Sequence, residues 1–199
     1  MRTETTTRTL YTFDELSEQA QEKARDWYRN ASADDSFWSE CVIDDAKQAA
    51  ALLGIDIDRA YFSGFWSQGD GACFEGRYKY RKDWKKALAA EYGGATRKAL
   101  LEIGAELQAA QKPVFYTGTA ETYQHYHSAC MRITADAAER FSNDARDDFE
   151  ENITDALRSF ADWVYRQLES EYDYQNSAEA IDETIRANEY EFTENGAIA

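Results

Sequence analysis

The most constraining stretch runs from Tyr61 to Tyr80, where large rings crowd around glycines: Tyr-Phe-Ser-Gly-Phe-Trp-Ser-Gln-Gly-Asp-Gly-Ala-Cys-Phe-Glu-Gly-Arg-Tyr-Lys-Tyr. Two aromatic runs flank Gly69-Asp70-Gly71, and Gly-Asp or Asp-Gly suits the positive-φ positions of a tight hairpin turn. The sequence therefore predicts a β-hairpin with a two-residue turn. Both possible turn registers put Tyr61, Phe65, Phe74 and Tyr78 on one face, because side-chain parity has period two. Phe62, Trp66, Cys73, Arg77 and Lys79 fall on the other. One face reads as core, and the second mixes apolar groups with positive charge. Gly64 and Gly76 read as relief of crowding beside the rings.

Around that hairpin the chain reads as α+β. A first strand is expected within Thr5 to Phe13. Leu16, Ala20, Ala24, Trp27 and Tyr28 then repeat at helical spacing, with Ser17 as N-cap. A second helix runs from about Ser36 to Leu53 and stops at Gly54. After the hairpin, Asp83 and Thr96 are candidate caps for two further helices, and Pro113 forbids continuation of the second. Val114 to Tyr116 and Glu121 to Ile133 read as extended, with a turn at Gly118-Thr119. A long amphipathic helix follows from about Asp136 to Tyr172, with a kink expected at Ser142-Asn143. Ser177 opens a last helix, Glu189 to Thr193 is a candidate strand, and Asn195-Gly196 begins a frayed end. The expected architecture is an antiparallel sheet with a central aromatic hairpin, helices packed on one face, and a long acidic C-terminal helix. With one proline and no Pro/Gly/Ser linker, residues 1–199 read as a single domain whose mainly helical, acidic last third is 134–199.

Charge is unevenly spread. The chain carries a net −16, and residues 134–199 hold 18 carboxylates against 5 arginines and no lysine. Such a field repels nucleic acid and anionic membranes and attracts basic protein surfaces. On the long helix Asp144, Asp148, Glu151, Asp155, Asp162, Glu169 and Asp173 lie opposite the apolar stripe. From Asp144 to Asp173 they span about 43 Å at 1.5 Å per residue. Duplex DNA carries one charge per about 1.7 Å of axis, so the helix is a sparse imitation of one strand of phosphates. The opposite charge collects in Arg77, Lys79, Arg81, Lys82, Lys85 and Lys86, interleaved with Tyr78, Tyr80 and Trp84. Cations beside rings suit single-stranded nucleic acid. They equally suit neutralising the acidic helix, within the chain or across a homodimer. The candidate partner-binding residues are thus the first six of those acids together with Trp66, Arg77 and Lys79.

No catalytic motif stands out, and the chain reads as a non-enzyme without cofactor. His125 and His127 share a strand face, a spacing that zinc accepts. Ligand spacing of the Cys-x-x-Cys kind is absent, so no metal is expected. Cys73 with a histidine is the one nucleophile–base pair worth naming, and a buried inert thiol is the simpler reading. Cys41, Cys73 and Cys130 fit reduced thiols in a cytoplasmic compartment. No apolar run approaches the roughly 20 residues that a membrane span needs.

Three segments together resemble a widespread family of phage and prophage proteins. They are Tyr11-Thr12-Phe13-Asp14-Glu15-Leu16-Ser17-Glu18-Gln19-Ala20 with Lys23-Ala24-Arg25-Asp26-Trp27-Tyr28; Phe62-Ser63-Gly64-Phe65-Trp66-Ser67-Gln68-Gly69-Asp70-Gly71-Ala72-Cys73-Phe74; and Trp163 to Glu169 continuing to Ile185 through Phe192. That family is often labelled "antitoxin of toxin–antitoxin stability system". The resemblance implies a mobile-element protein in a bacterial cytoplasm, of the kind that binds and blocks host defence complexes such as CRISPR effectors and restriction enzymes. The sequence expectation is therefore a non-enzymatic anti-defence or antitoxin-like binder of a basic, nucleic-acid-binding surface, by DNA mimicry. The alternative is a nucleic-acid-binding module built on residues 77–86.

Overall fold

The computed structural model describes residues 1–2, 7–125 and 129–199. In chain order its elements are β1 (Tyr11–Thr12), a 3-10 turn (Phe13–Glu15), α1 (Glu18–Ala31), α2 (Phe37–Leu53), β2 (Ile55–Phe62), β3 (Ala72–Lys79), α3 (Trp84–Glu91), α4 (Gly94–Ala110), β4 (Thr119–Gln124), β5 (Met131–Asp136), α5 (Asn143–Gln175), α6 (Ala178–Ala187) and β6 (Glu191–Phe192). The fold is α+β, with antiparallel sheets and a long C-terminal helix. Contacts divide it into two compact units, residues 39–169 and residues 1–38 with 170–199.

The larger unit holds a four-stranded antiparallel sheet in the order β2-β3-β4-β5. Its register sets Ile55 opposite Tyr78, Ala60 opposite Phe74 and Phe62 opposite Ala72, with a bulge between Ile57 and Arg59. One face is core. Phe74 meets the Phe160 ring of α5 edge-on at 5.8 Å, and the Tyr78 hydroxyl reaches the Leu107 carbonyl of α4 at 3.5 Å. Ile43 and Ala46 of α2 and Ala161 and Val164 of α5 close over Ile57, Ala60 and Phe74. Helix α5 buries Phe149, Ile153, Ala156, Leu157, Phe160, Val164 and Leu168 along a single stripe, as its three-and-four spacing requires.

Two glycines are fixed by this arrangement. Gly54, at φ +86°, ends α2 and turns directly into β2, and its carbonyl accepts from the Lys79 amide at 2.9 Å. Gly76 lies against the Asp56 backbone beside the bulge, where an added Cβ would stand 2.1 Å from the carbonyl oxygen. Gly76 thus admits a neighbouring strand rather than a ring.

The smaller unit joins the two ends of the chain. Strand β1 pairs antiparallel with β6. Ser17 caps α1 by accepting from the Ala20 amide, and Ser177 caps α6 by accepting from Ala180. Phe13, Leu16, Ala20, Ala24, Ile181, Ile185 and Phe192 form its core. The last residues do not fray. The Thr193 amide donates to the Ala197 carbonyl at 2.8 Å and the Ala199 amide to Glu191 at 3.0 Å.

Several expectations change. The hairpin has no two-residue turn: nine residues, 63–71, connect β2 to β3, so Phe65 and Trp66 belong to a loop. The register then moves Phe62 onto the core face with Phe74 and Tyr78, and Tyr61 onto the other face opposite Cys73. The first strand covers only Tyr11–Thr12 among the described residues. Val114 to Tyr116 is a chain of turns, and Gly118-Thr119 leads into β4. The extended run after Glu121 is two strands, β4 and β5. Helix α5 begins at Asn143, because Ser142 caps it by accepting from the Ala145 amide at 3.2 Å. Asp83 stands at the start of α3 as expected but makes no cap hydrogen bond with its side chain, and Thr96 lies inside α4, which starts from Gly93.

Candidate functional site

The acidic residues of α5 lie where the 3.6-residue period puts them. Asp144, Asp148, Glu151, Asp155 and Asp162 are exposed on the side opposite Phe149, Ile153 and Phe160, and Glu169 on the same stripe is half-buried. Asp173, further along α5, belongs to the smaller unit and is also exposed. Two further exposed acids, Asp147 and Glu150, flank the stripe and had no place in the sequence expectation. Asp147, Glu150, Glu151, Thr154, Asp155 and Arg158 line one shallow open depression there.

The stripe is not uniform. Arg158 and Arg166 fall on it, are exposed, and interrupt its second half. Arg158 stands 3.8 Å from Asp155. The first three turns, by contrast, gather Asp144, Asp147, Asp148, Glu150 and Glu151. Among the described residues none of these five has a basic side chain within ion-pair distance. Negative charge is also favoured at that end, because the first turn of a helix carries the positive pole of its dipole. Unpaired carboxylates therefore concentrate at the start of α5 rather than along its whole length.

The three other candidate residues do not form one surface. Trp66 sits in the 63–71 loop, three-quarters exposed. That loop is closed by the Gly71 amide donating to Ser63 Oγ at 3.0 Å and by the Ser67 amide donating to Asp70 Oδ2 at 2.6 Å. It is tied to α5, where the Tyr165 hydroxyl donates to the Gly64 carbonyl at 3.0 Å and the Phe65 ring lies 5.5 Å from the Tyr165 ring. Trp66 meets Phe65 edge-on at 6.3 Å. Arg77 and Lys79 occupy the second half of β3, on the face away from the core. Arg77 stands 3.7 Å from Glu121 on β4. Arg81 leaves that face altogether: beyond the end of β3, it donates to the Ala51 carbonyl at 2.9 Å and to Asp83 at 3.0 Å. The basic run is thus shorter as a surface than as a sequence.

Beside it lies an aromatic turn, at Val114 to Tyr116, where the sequence predicts extended chain. Phe115 and Tyr116 are consecutive non-glycine residues in the left-handed region, at φ 50° and 62°. The wholly buried Gln111 holds them there. Its amide nitrogen donates to the Gly118 carbonyl at 2.8 Å, and its oxygen accepts from the Gly118 amide at 3.1 Å. Tyr116 packs on Tyr80 at 4.6 Å, and Phe115 stacks on Phe141 at 5.9 Å. Left-handed backbone at two large residues has a cost of order 1–2 kcal/mol each and persists only where the surroundings impose it.

The chemistry of the cysteines is settled by burial. Cys73 is 1% exposed. Its thiol is pushed up to about 11, first by burial and then by nearby Cys130 and Glu75, so it is protonated at neutral pH and a poor nucleophile. Cys41 and Cys130 are exposed and form no disulfide. His125 follows the last residue of β4, and its amide donates to the Cys130 carbonyl at 3.0 Å; His127 lies outside the described residues. Among the described residues no three His, Cys, Asp or Glu side chains are grouped to hold a metal ion, and no helix is long and apolar enough to cross a membrane.

Residues 38–178 match a family model described as a domain of unknown function, DUF8835. No curated protein and no solved structure matches the chain. The matched span takes in the whole sheet and every acid of α5 discussed above. It covers well over half of the sequence, and the chain belongs to the DUF8835 family of domains of unknown function.

Proposed function

We propose that this protein is a non-catalytic binder, encoded by phage or prophage and acting in the bacterial cytoplasm, that covers a basic, nucleic-acid-binding surface of a host complex such as a CRISPR effector or restriction enzyme. The observation that carries this reading is the start of α5. Among the described residues, five exposed carboxylates without a basic partner crowd Asp144 to Glu151, on a helix whose other side is locked into the core. A rigid helix presents those charges without side-chain or backbone rearrangement, and a basic groove evolved for phosphates meets them as it meets DNA. The resemblance to phage proteins supplies the mobile-element context, and the net −16 supplies the long-range attraction.

The test is competition. The purified protein is expected to displace labelled duplex DNA from a basic effector, less effectively as salt shortens the screening length. The triple variant Asp148→Lys, Glu151→Lys, Asp155→Lys is expected to abolish displacement while keeping its far-ultraviolet spectrum. Displacement by that variant at wild-type strength overturns the reading.

A second reading has its own observation. Tyr80 packs on Tyr116, the neighbour of Phe115, the cations Lys79, Lys82 and Lys112 lie within three residues of these rings along the chain, and rings beside cations stack bases of single strands. A gel shift with oligothymidylate or oligouridylate at low salt tests it, with loss of the shift expected in Phe115→Ala. No shift at low salt ends this reading.

A further inference from the structure

The two edges of the four-stranded sheet are unlike. Strand β2 guards its edge as free edges are commonly guarded: it carries Asp56, Asp58 and Arg59, and a bulge breaks its register between Ile57 and Arg59. Strand β5 carries charge as well, in Arg132 and Asp136, but of opposite sign and without a break in register. Met131-Arg132-Ile133-Thr134-Ala135-Asp136 contains no proline, lysine or bulge, and it pairs with β4 in unbroken register from Thr119–Asp136 to Gln124–Met131. Arg132, Thr134 and Asp136 are exposed, and Met131, Ile133 and Ala135 on the core side are only half-buried. Among the described residues, no strand lies beyond it.

The free backbone groups can be assigned. The His125 amide donates to the Cys130 carbonyl, so 125 and 130 form a hydrogen-bonded pair, and such pairs alternate along an antiparallel ladder. Arg132, Thr134 and Asp136 therefore turn their backbone groups toward β4. Met131, Ile133 and Ala135 turn theirs outward.

We propose that β5 is a homodimer edge, on which a second copy of this chain adds its own β5 antiparallel about a two-fold axis through Thr134, making one continuous eight-stranded sheet. That axis sets Ile133 opposite Ala135 of the second copy, outward group against outward group, as a hydrogen-bonded pair. It also sets Arg132 opposite Asp136 of the second copy at the closer, non-hydrogen-bonded position, and symmetry makes this ion pair twice. Moving the axis to Ile133 places Arg132 against Thr134 and loses both pairs. An axis between residues sets outward groups against inward ones and forms no ladder. The segment is thus complementary to itself in hydrogen bonding and in charge at the same register, which an edge meant for an unrelated peptide has no reason to be. The joined sheet extends cover over the half-buried Met131, Ile133 and Ala135.

The test is the mass in solution of the full chain, by analytical ultracentrifugation at tens of micromolar. It is run at about 0.15 M salt, where the screening length of about 8 Å limits repulsion between the acidic bodies. A dimer is expected. Arg132→Asp and Asp136→Arg should each weaken it by roughly tenfold or more, since each places like charges opposite one another twice. The double exchange should restore it, a recovery that a merely misfolded variant does not show. Ala135→Pro removes one outward donor and leaves the β4 ladder whole, so it is expected to give a folded monomer. A wild-type monomer overturns the proposal, as does a dimer indifferent to the single reversals. Wild-type dimerisation with failure of DNA displacement would overturn the proposed function and leave this edge standing.

Discussion

Residues 39–169 and the paired chain ends, 1–38 with 170–199, are held together by different means. The larger unit relies on apolar contact at depth. Phe74, Phe149, Phe160, Ile153, Leu157, Leu100 and Leu107 are all essentially buried, and Tyr78 is pushed well above its ordinary pKa by that burial. The smaller unit has fewer large buried side chains and more directed contacts. Arg25 grips Asp182 through two nitrogens, at 2.6 and 2.9 Å, and also lies over the Phe13 ring at 5.5 Å. Arg186 covers the same ring at 5.3 Å and bonds Asp14 at 2.9 Å. Trp27 meets Tyr190 edge-on at 5.2 Å and Phe192 at 5.9 Å. The family match begins at residue 38 and ends at 178, so it contains all of the larger unit and little of the smaller. The contrast is physical: a sheet covered by three helices can bury whole rings, whereas two short helices and a two-residue strand pair need polar and aromatic links to fix their geometry.

The sharpest way to break that contrast is to remove a ring from the larger unit. Phe160→Ala deletes a fully buried side chain wedged between Phe74 and Trp163, at 5.8 and 5.5 Å. The expected loss is about 3–5 kcal/mol from transfer and cavity together. Hydrogen exchange read segment by segment should show protection falling throughout β2 to β5. Uniform exchange without loss of stability would mean that the core is not where the rings are.

In the smaller unit the corresponding change is Arg25→Ala. The pair is neither exposed nor sealed, with side chains 15% and 16% accessible, so its loss falls between the surface and buried extremes, at about 2 kcal/mol. It leaves Asp182 without its fork and Phe13 without its cover. Arg25→Lys keeps charge but not bidentate geometry and should recover less than half. Exchange should accelerate in α1 and α6. Chemical denaturation followed at Trp27 should shift while the exchange of β3 stays unchanged.

Alkali separates the units in a third way. Cys73 and Tyr78 both have raised pKa values in the folded larger unit, chiefly through burial. A raised folded value means that the neutral form is favoured by folding. The stability this gives is complete below the unfolded thiol value near 9 and is lost as pH climbs through about 11. At pH 10 the Cys73 part of that loss is about 1 kcal/mol. Arginine pairs do not titrate there, so the smaller unit should hold its protection. Cys73→Ala should flatten the decline between pH 9 and 11, and an equally steep decline would remove the thiol as its cause.

Much of this was legible in the residues, and the exceptions have definite causes. The helices announced themselves through period and caps: Ser17, Ser177 and Gly54 act where the sequence placed them. The hairpin misled because Gly69-Asp70-Gly71 suits a tight turn, whereas Asp70 bonds back to Ser67 and rounds off a longer loop. That displaced Phe65 and Trp66 from the sheet, and a connection of nine residues, odd where a two-residue turn is even, moved Tyr61 to the other face, while the bulge between Ile57 and Arg59 returns Ile57 and Ile55 to the core face. The acidic face of α5 was readable from spacing alone. Its thinning by Arg158 and Arg166 was readable too, because both lie on the same helical stripe. The left-handed pair Phe115-Tyr116 was not, because no local rule puts two bulky aromatics there; the buried Gln111 clamp is a tertiary cause.

The smallest expected effect bears on how helices begin. In the smaller unit both helices open on a serine that accepts a backbone hydrogen bond, at 3.3 Å for Ser17 and 3.2 Å for Ser177. In the larger unit α3 and α4 have no side-chain cap, and they start from Asp83, whose carboxylate turns to Arg81, and from Gly93. Helices that bury Trp84, Leu88, Leu100, Ile103 and Leu107 are anchored along their length, so their first turns can fray at little consequence. Helices with less buried surface depend on the first turn. Ser17→Ala or Ser177→Ala should therefore destabilise the smaller unit by about 1 kcal/mol each, whereas Asp83→Ala should change the larger unit by a few tenths, the size of an exposed ion pair. Thermal denaturation of the three variants checks the ranking. An Asp83→Ala loss equal to that of the serines would show that capping, not burial, starts the helices of both units.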